Sequence, residues 1–86
     1  MPRTILIVED NDLFRGMLGS LMTMRGYNVL TARNGAEGLV IAAAQLVDGV
    51  LTDVDMPEMD GFTFCQQLKA QQLSAGQDIP VWIMTG

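Results

Sequence analysis

Residues 4–12 read Thr4-Ile5-Leu6-Ile7-Val8-Glu9-Asp10-Asn11-Asp12, and the change of character after Val8 sets the fold class. Thr4 to Val8 is a short, unbroken run rich in β-branched residues, which marks a strand buried on both faces, as in a parallel sheet. Glu9 and Asp10 stop the run abruptly, and Asn11 or Asp12 can then cap a helix. Along that helix Phe14, Met17, Leu18, Leu21 and Met22 recur at spacings of three and four and form one apolar stripe. Gly26 supplies its C-terminal stop.

Outward from this unit the same alternation continues. Tyr27 to Ala32 reads as a second strand. Asn34-Gly35 is a turn signal, and Asn34 can cap the helix that follows. Ala36 to Val47 reads as that helix, with Leu39, Val40, Ala43 and Leu46 inward. Asp48-Gly49 breaks it, and Val50-Leu51-Thr52 is a third strand ending at Asp53. Val54 to Gly61 is a loop. Phe62 to Leu73 is an amphipathic helix with Phe62, Cys65, Leu68 and Leu73 on its apolar side. Ser74 to Asp78 forms a loop, and Ile79-Pro80 leads into a fourth strand, Val81 to Met84. Trp82 lies mid-strand and reads as core. The order β-α-β-α-β-α-β predicts a parallel sheet with helices on its faces. Right-handed crossovers place the first helix alone on one face and the second and third on the other.

The bulk properties bound the function. A chain of 86 residues fits one domain, and 49% hydrophobic residues suffice for a core and argue against disorder. The net charge is -5, and the basic residues Arg3, Arg15, Arg25, Arg33 and Lys69 are scattered, so a direct nucleic-acid surface is not expected. Cys65 is the sole cysteine, which precludes an internal disulfide and fits a reducing compartment. The opening MPRTILIVED does not read as a signal peptide, and no apolar run is long enough to cross a bilayer. A cytoplasmic protein without a membrane partner is expected.

Three carboxylates stand out by position. Glu9 and Asp10 follow the first strand and Asp53 follows the third. In an open parallel sheet the carboxyl ends of the strands border the ligand crevice. If the first and third strands are neighbours, the acids converge there. Close carboxylates repel, and a divalent cation relieves that repulsion. Oxygen-only ligands suit Mg²⁺ or Ca²⁺, and with no histidine and one cysteine the chain has nothing from which to build a zinc site. The residues alone thus suggest a metal site able to hold a phosphoryl group. Acids at strand ends also serve as caps and solvated turn residues, and that alternative stays open at this stage.

Motifs extend the case. Ile5-Leu6-Ile7-Val8-Glu9-Asp10-Asn11 resembles the opening of a response-regulator receiver domain. Asp53-Val54-Asp55-Met56-Pro57-Glu58-Met59-Asp60-Gly61 resembles that family's phosphoacceptor loop, and Pro80-Val81-Trp82-Ile83-Met84-Thr85-Gly86 resembles its fourth strand. The similarity spans residues 1–86 as one receiver-like domain. It implies a flavodoxin-like three-layer α/β/α fold with strand order 2-1-3-4. It also implies roles: Asp53 accepts a phosphoryl group from the phosphohistidine of a histidine kinase or phosphotransfer protein, and Asp10 and Asp53 ligate Mg²⁺. Glu9 helps through water, Asp55 lends a backbone carbonyl to the metal, and Thr85 hydrogen-bonds the phosphoryl oxygen. The protein would then be a phosphoacceptor and not an enzyme.

The chain also departs from the family. A complete receiver continues with a fourth helix, a fifth strand and a fifth helix, and its fifth strand is preceded by a lysine that pairs with the phosphoryl group. Residues 1–86 contain none of these, and Lys69, the sole lysine, falls on the third helix. Two consequences are expected: weaker phosphorylation or signalling, since a stabilising charge is missing, and a fourth strand left as an apolar edge. Such an edge invites pairing, so a homodimer through the fourth strand and the uncovered sheet face is expected; in a fragment of a longer protein the same surface instead marks the cut. A function of a different class competes with phosphoacceptance: an interaction module, a receiver remnant that dimerises or docks. A small hydrolase at the same acids ranks last, for want of a general acid and a lysine in reach.

Overall fold

A computed structural model describes residues 2–53, 61–76 and 79–84. The elements are β1 (Thr4–Val8), α1 (Asp12–Met24), β2 (Asn28–Ala32), α2 (Gly35–Ala44), β3 (Gly49–Asp53), α3 (Gly61–Ala75) and β4 (Val81–Met84). The four strands form one parallel sheet in the order β2-β1-β3-β4, the expected flavodoxin-like order.

The predicted caps operate. The Asn11 side chain accepts from the Phe14 N–H at 2.8 Å, and the Asn34 side chain accepts from the Glu37 N–H at 2.8 Å. Each satisfies a donor that the first turn of a helix leaves unpaired. At the end of α1, Gly26 adopts φ 91°, the left-handed conformation that glycine reaches without a Cβ clash.

The core lies between the sheet and α2 with α3. Leu6, Val8, Ala32 and Val50 meet Ala42, Phe64, Leu68 and Ile79 there. The helix α1 occupies the other face, where Gly19 approaches Val29 of β2. The expected division of helices between the faces therefore holds.

Four expectations about packing need correction. In α2 the buried positions are Gly35, Gly38 and Ala42, whereas Val40 is 69% exposed and Ala43 is exposed too; the helix ends at Ala44 rather than Val47, and Leu46, 83% exposed, lies past it. Of the expected inward set only Leu39 packs against the core. The cause is close approach: a Cβ on Gly38 would stand 3.0 Å from both Phe64 Cε1 and Val8 Cγ2, so the small residues face the sheet. In α3 the buried apolar side chains are Phe64 and Leu68, with Cys65 only half-buried; the side chains of Phe62 and Leu73 lie outside the described set. Trp82 is 54% exposed and not core. It stands beside Gly49 on the α1 face, and α1 lies over β1 and β2, away from β4. The α1 stripe is likewise only partly covered, with Phe14, Met17 and Leu21 exposed.

Polar side chains fasten the ends. Asp48 Oδ2 accepts from the Thr4 N–H at 2.7 Å and the Asp48 N–H donates to the Thr4 carbonyl at 2.8 Å, which locks the turn before β3 to the start of β1. Near β4, buried Gln72 accepts from the Ile79 N–H at 3.1 Å and Lys69 Nζ donates to the Ile79 carbonyl at 3.0 Å. Among the described residues no helix is long and apolar enough to cross a membrane.

Candidate functional site

Parallel pairing of β1 with β3 builds the site. The register of β1 on β3 runs to Val8 opposite Thr52, so the next residues on the two strands, Glu9 and Asp53, stand side by side at the carboxyl edge of the sheet. Glu9 stays in the sheet's hydrogen bonding, because its N–H donates to the Ala32 carbonyl of β2 at 3.1 Å. Asp10 follows directly, before the Asn11 cap turns the chain into α1. One carboxylate oxygen from each of Glu9, Asp10 and Asp53 lies within 4.8 Å of the others. The sequence expectation that these acids converge at the carboxyl ends of the first and third strands is met.

The three acids differ in environment. Glu9 is buried, at 4% exposure, Asp53 is half-buried and Asp10 is exposed. Burial, more than any other cause, pushes the Glu9 carboxyl up to about 7 from an ordinary 4.5. The Asn11 N–H, which donates to Glu9 Oε1 at 3.2 Å, opposes this. The charge of Asp53 and hydrogen bonds with Asp10 and Asp53 push it further up. Burial and the neighbouring carboxylates thus disfavour a negative charge on Glu9.

The donor set fits magnesium. Oxygens bound to Mg²⁺ at about 2.1 Å stand at most about 4.2 Å apart across an octahedron. Carboxylate oxygens no more than 4.8 Å apart reach that spacing by small side-chain rotations, or through one retained water. Asp55 and Thr85, the other two expected site residues, lie outside the described residues, as do Met56, Pro57 and Asp60 of the loop. Lys69 is engaged with Ile79, before β4 begins and so at the end of that strand opposite Asp53 and its partner Met84.

One participant escaped the sequence reading. Arg15 is counted there only among scattered cations, yet its guanidinium donates to the Glu9 carbonyl at 2.9 Å and pairs with Asp12. The available signal was the short spacing of Glu9, Asp12 and Arg15 across a helix start, which places Arg15 one turn into α1, over the residues just before it.

The family model for the response regulator receiver domain matches residues 5–86. Response regulator MprA of Mycolicibacterium vanbaalenii is 38% identical over 85 residues, which are 99% of this chain and 35% of that protein. The chain therefore spans about a third of the length of that curated relative. Among solved structures, the Vibrio cholerae chemotaxis protein CheY4 superposes with a TM-score of 0.84 at 31% identity, covering 94% of this chain and 68% of that one. The Thermotoga maritima response regulator TrrA, solved in complex with Mg²⁺ and BeF, superposes with a TM-score of 0.88 at 26% identity, covering 96% of this chain and 69% of its own. A family match that runs from Ile5 in the first strand to Gly86 shows that the chain belongs to the response regulator receiver domains of two-component signalling.

Proposed function

We propose that this receiver domain accepts a phosphoryl group on Asp53 in a Mg²⁺-dependent reaction, from the phosphohistidine of a histidine kinase or phosphotransfer protein. The observation that carries the reading is the convergence of Glu9, Asp10 and Asp53 at the carboxyl ends of adjacent parallel strands. TrrA, solved with Mg²⁺ and BeF, supports it by analogy. An Asp53 carboxylate oxygen attacks phosphorus, the phosphorus–nitrogen bond to the donor imidazole breaks, and an acyl phosphate remains on Asp53. Asp10 and Asp53 would hold the metal, with the Asp55 carbonyl, and Glu9 would contribute through water. Bound there, Mg²⁺ would neutralise charge on the carboxylates and the phosphoryl oxygens. Thr85 donates a hydrogen bond to the phosphoryl group. Residues 1–86 act as one signalling domain in the cytoplasm, and any output resides elsewhere.

The test is intact mass after incubation with Mg²⁺ and acetyl phosphate, for wild type and Asp53→Asn. A phosphoryl adduct on wild type alone is the expected result. No adduct on folded wild-type protein would sink the reading.

A second reading rests on a separate observation: among the described residues β4 stands at one side of the sheet, and Trp82 on it is 54% exposed. A second copy pairing along β4 would cover both features. Sedimentation equilibrium tests it, with a dimer that Asp53→Asn leaves intact as the expected result and a monomer at all concentrations as the refutation.

A further inference from the structure

We propose that Arg15 is a positioning residue for the metal-binding acids, a role that rests on the reading of Glu9 and Asp10 as magnesium ligands. The contacts form a closed set. Arg15 Nη1 donates to the Glu9 carbonyl at 2.9 Å, and Nη2 is paired with the Asp12 carboxylate. The Arg15 N–H donates to the Asn11 carbonyl at 2.9 Å, and the Asn11 N–H donates to Glu9 Oε1 at 3.2 Å. With the Glu9 N–H on Ala32, Glu9 is held at its amide, its carbonyl and its carboxylate. The Glu9 carbonyl belongs to the peptide bond that leads into Asp10. Fixing that peptide fixes the direction from which the Asp10 carboxylate, itself solvent-exposed, enters the cluster.

The residue type matters. The guanidinium is a rigid planar fork that donates in two directions at once, and an ammonium cannot reproduce that geometry. The Arg15 side chain is only 16% exposed, against 82% for its partner Asp12, so the guanidinium is held close against the Glu9 backbone while its ion-pair partner faces solvent. A cation beside an acidic metal site also repels a second cation. Electrostatics alone therefore predicts that removing Arg15 tightens magnesium binding, and positioning predicts the opposite. The two explanations differ in sign.

The experiment measures Mg²⁺ affinity by isothermal titration calorimetry on wild type, Arg15→Ala, Arg15→Lys and Asp12→Ala. Loss of a group that orients metal ligands weakens affinity roughly 10–100-fold. Arg15→Ala is expected in that range, with Arg15→Lys weakened as well despite its retained charge. Asp12→Ala, which spares the Glu9 contact, is expected within roughly threefold of wild type, below that range. The Asp10 amide resonance of metal-free protein should shift in both Arg15 variants, a signature that a general loss of stability does not produce. Where Arg15→Ala does not fold, Arg15→Lys carries the test. Unchanged or tighter binding in the folded Arg15 variants overturns the proposal alone. Failure of wild type to bind Mg²⁺ overturns the magnesium reading and the proposal with it.

Discussion

Gly38 offers the sharpest test of how α2 sits on the sheet. In Gly38→Ala the new Cβ would lie 3.0 Å from Phe64 Cε1, 3.0 Å from Val8 Cγ2 and 3.4 Å from Phe64 Cζ. Phe64 and Val8 are both fully buried, so neither can swing into solvent to make room. Overpacking of this kind costs about 1–3 kcal/mol. Against it stands the helix preference for alanine over glycine, worth about 1 kcal/mol. Gly16→Ala is the matched control, because Gly16 is also inside a helix and nothing lies within 4 Å of its added Cβ. That variant gains the propensity term alone. The two substitutions are chemically identical, so the difference between them isolates packing and should be about 1–3 kcal/mol. For a domain of this size 1 kcal/mol moves the melting temperature by roughly 4–8 °C. Gly38→Ala is therefore expected to melt clearly below Gly16→Ala in thermal unfolding followed by circular dichroism. Phe64→Leu should cost less in the Gly38→Ala background than in wild type, with a coupling of at least about 0.5 kcal/mol. Equal melting temperatures for the two alanine variants, with no coupling to Phe64, would refute the close-approach argument.

Two further outcomes follow from the site and the uncovered face. The metal-free Glu9 carboxyl titrates near 7 in the folded state against 4.5 ordinarily, so the folded state binds the extra proton more tightly. Its stability contribution is complete below about 4.5 and is lost as pH rises through about 7, a change on the order of 1–3 kcal/mol. Metal-free Glu9→Gln should accordingly lack this pH dependence and melt above wild type at pH 8, a comparison readable by calorimetry in a chelator; parallel pH profiles would count against a proton on Glu9. Trp82 is the sole tryptophan and 54% exposed, so its emission should be red-shifted and readily quenched by iodide at low protein concentration. A blue shift that grows with concentration would report a second chain closing over β4.

Much of the architecture was legible in residue order. Strand runs such as Thr4 to Val8 are apolar throughout because both faces are covered, and their termination by Glu9 and Asp10 is abrupt enough to locate the end. Asn11 and Asn34 announced their helices because capping is a local interaction. Helix faces were harder. Periodicity assigns large apolar residues inward, but α2 approaches the sheet so closely that Gly35, Gly38 and Ala42 take the inward positions and Val40 is left outside. Trp82 failed for a related reason: an apolar residue in mid-strand is core only where another layer lies over it, and α1 lies over β1 and β2.

For the site, residue types and positions by themselves determined that Glu9, Asp10 and Asp53 fall at strand ends and that their chemistry favours a hard cation. Only the tertiary structure decided that the oxygens come within 4.8 Å, because that depends on β1 pairing with β3 in the register Val8 to Thr52, two segments far apart in the chain. The tertiary structure alone also buried Glu9 enough to raise the pKa of its carboxyl, and set the Arg15 guanidinium on the Glu9 carbonyl. Burial and long-range register are properties of the assembled sheet, whereas propensity, capping and charge belong to each segment of chain before it folds.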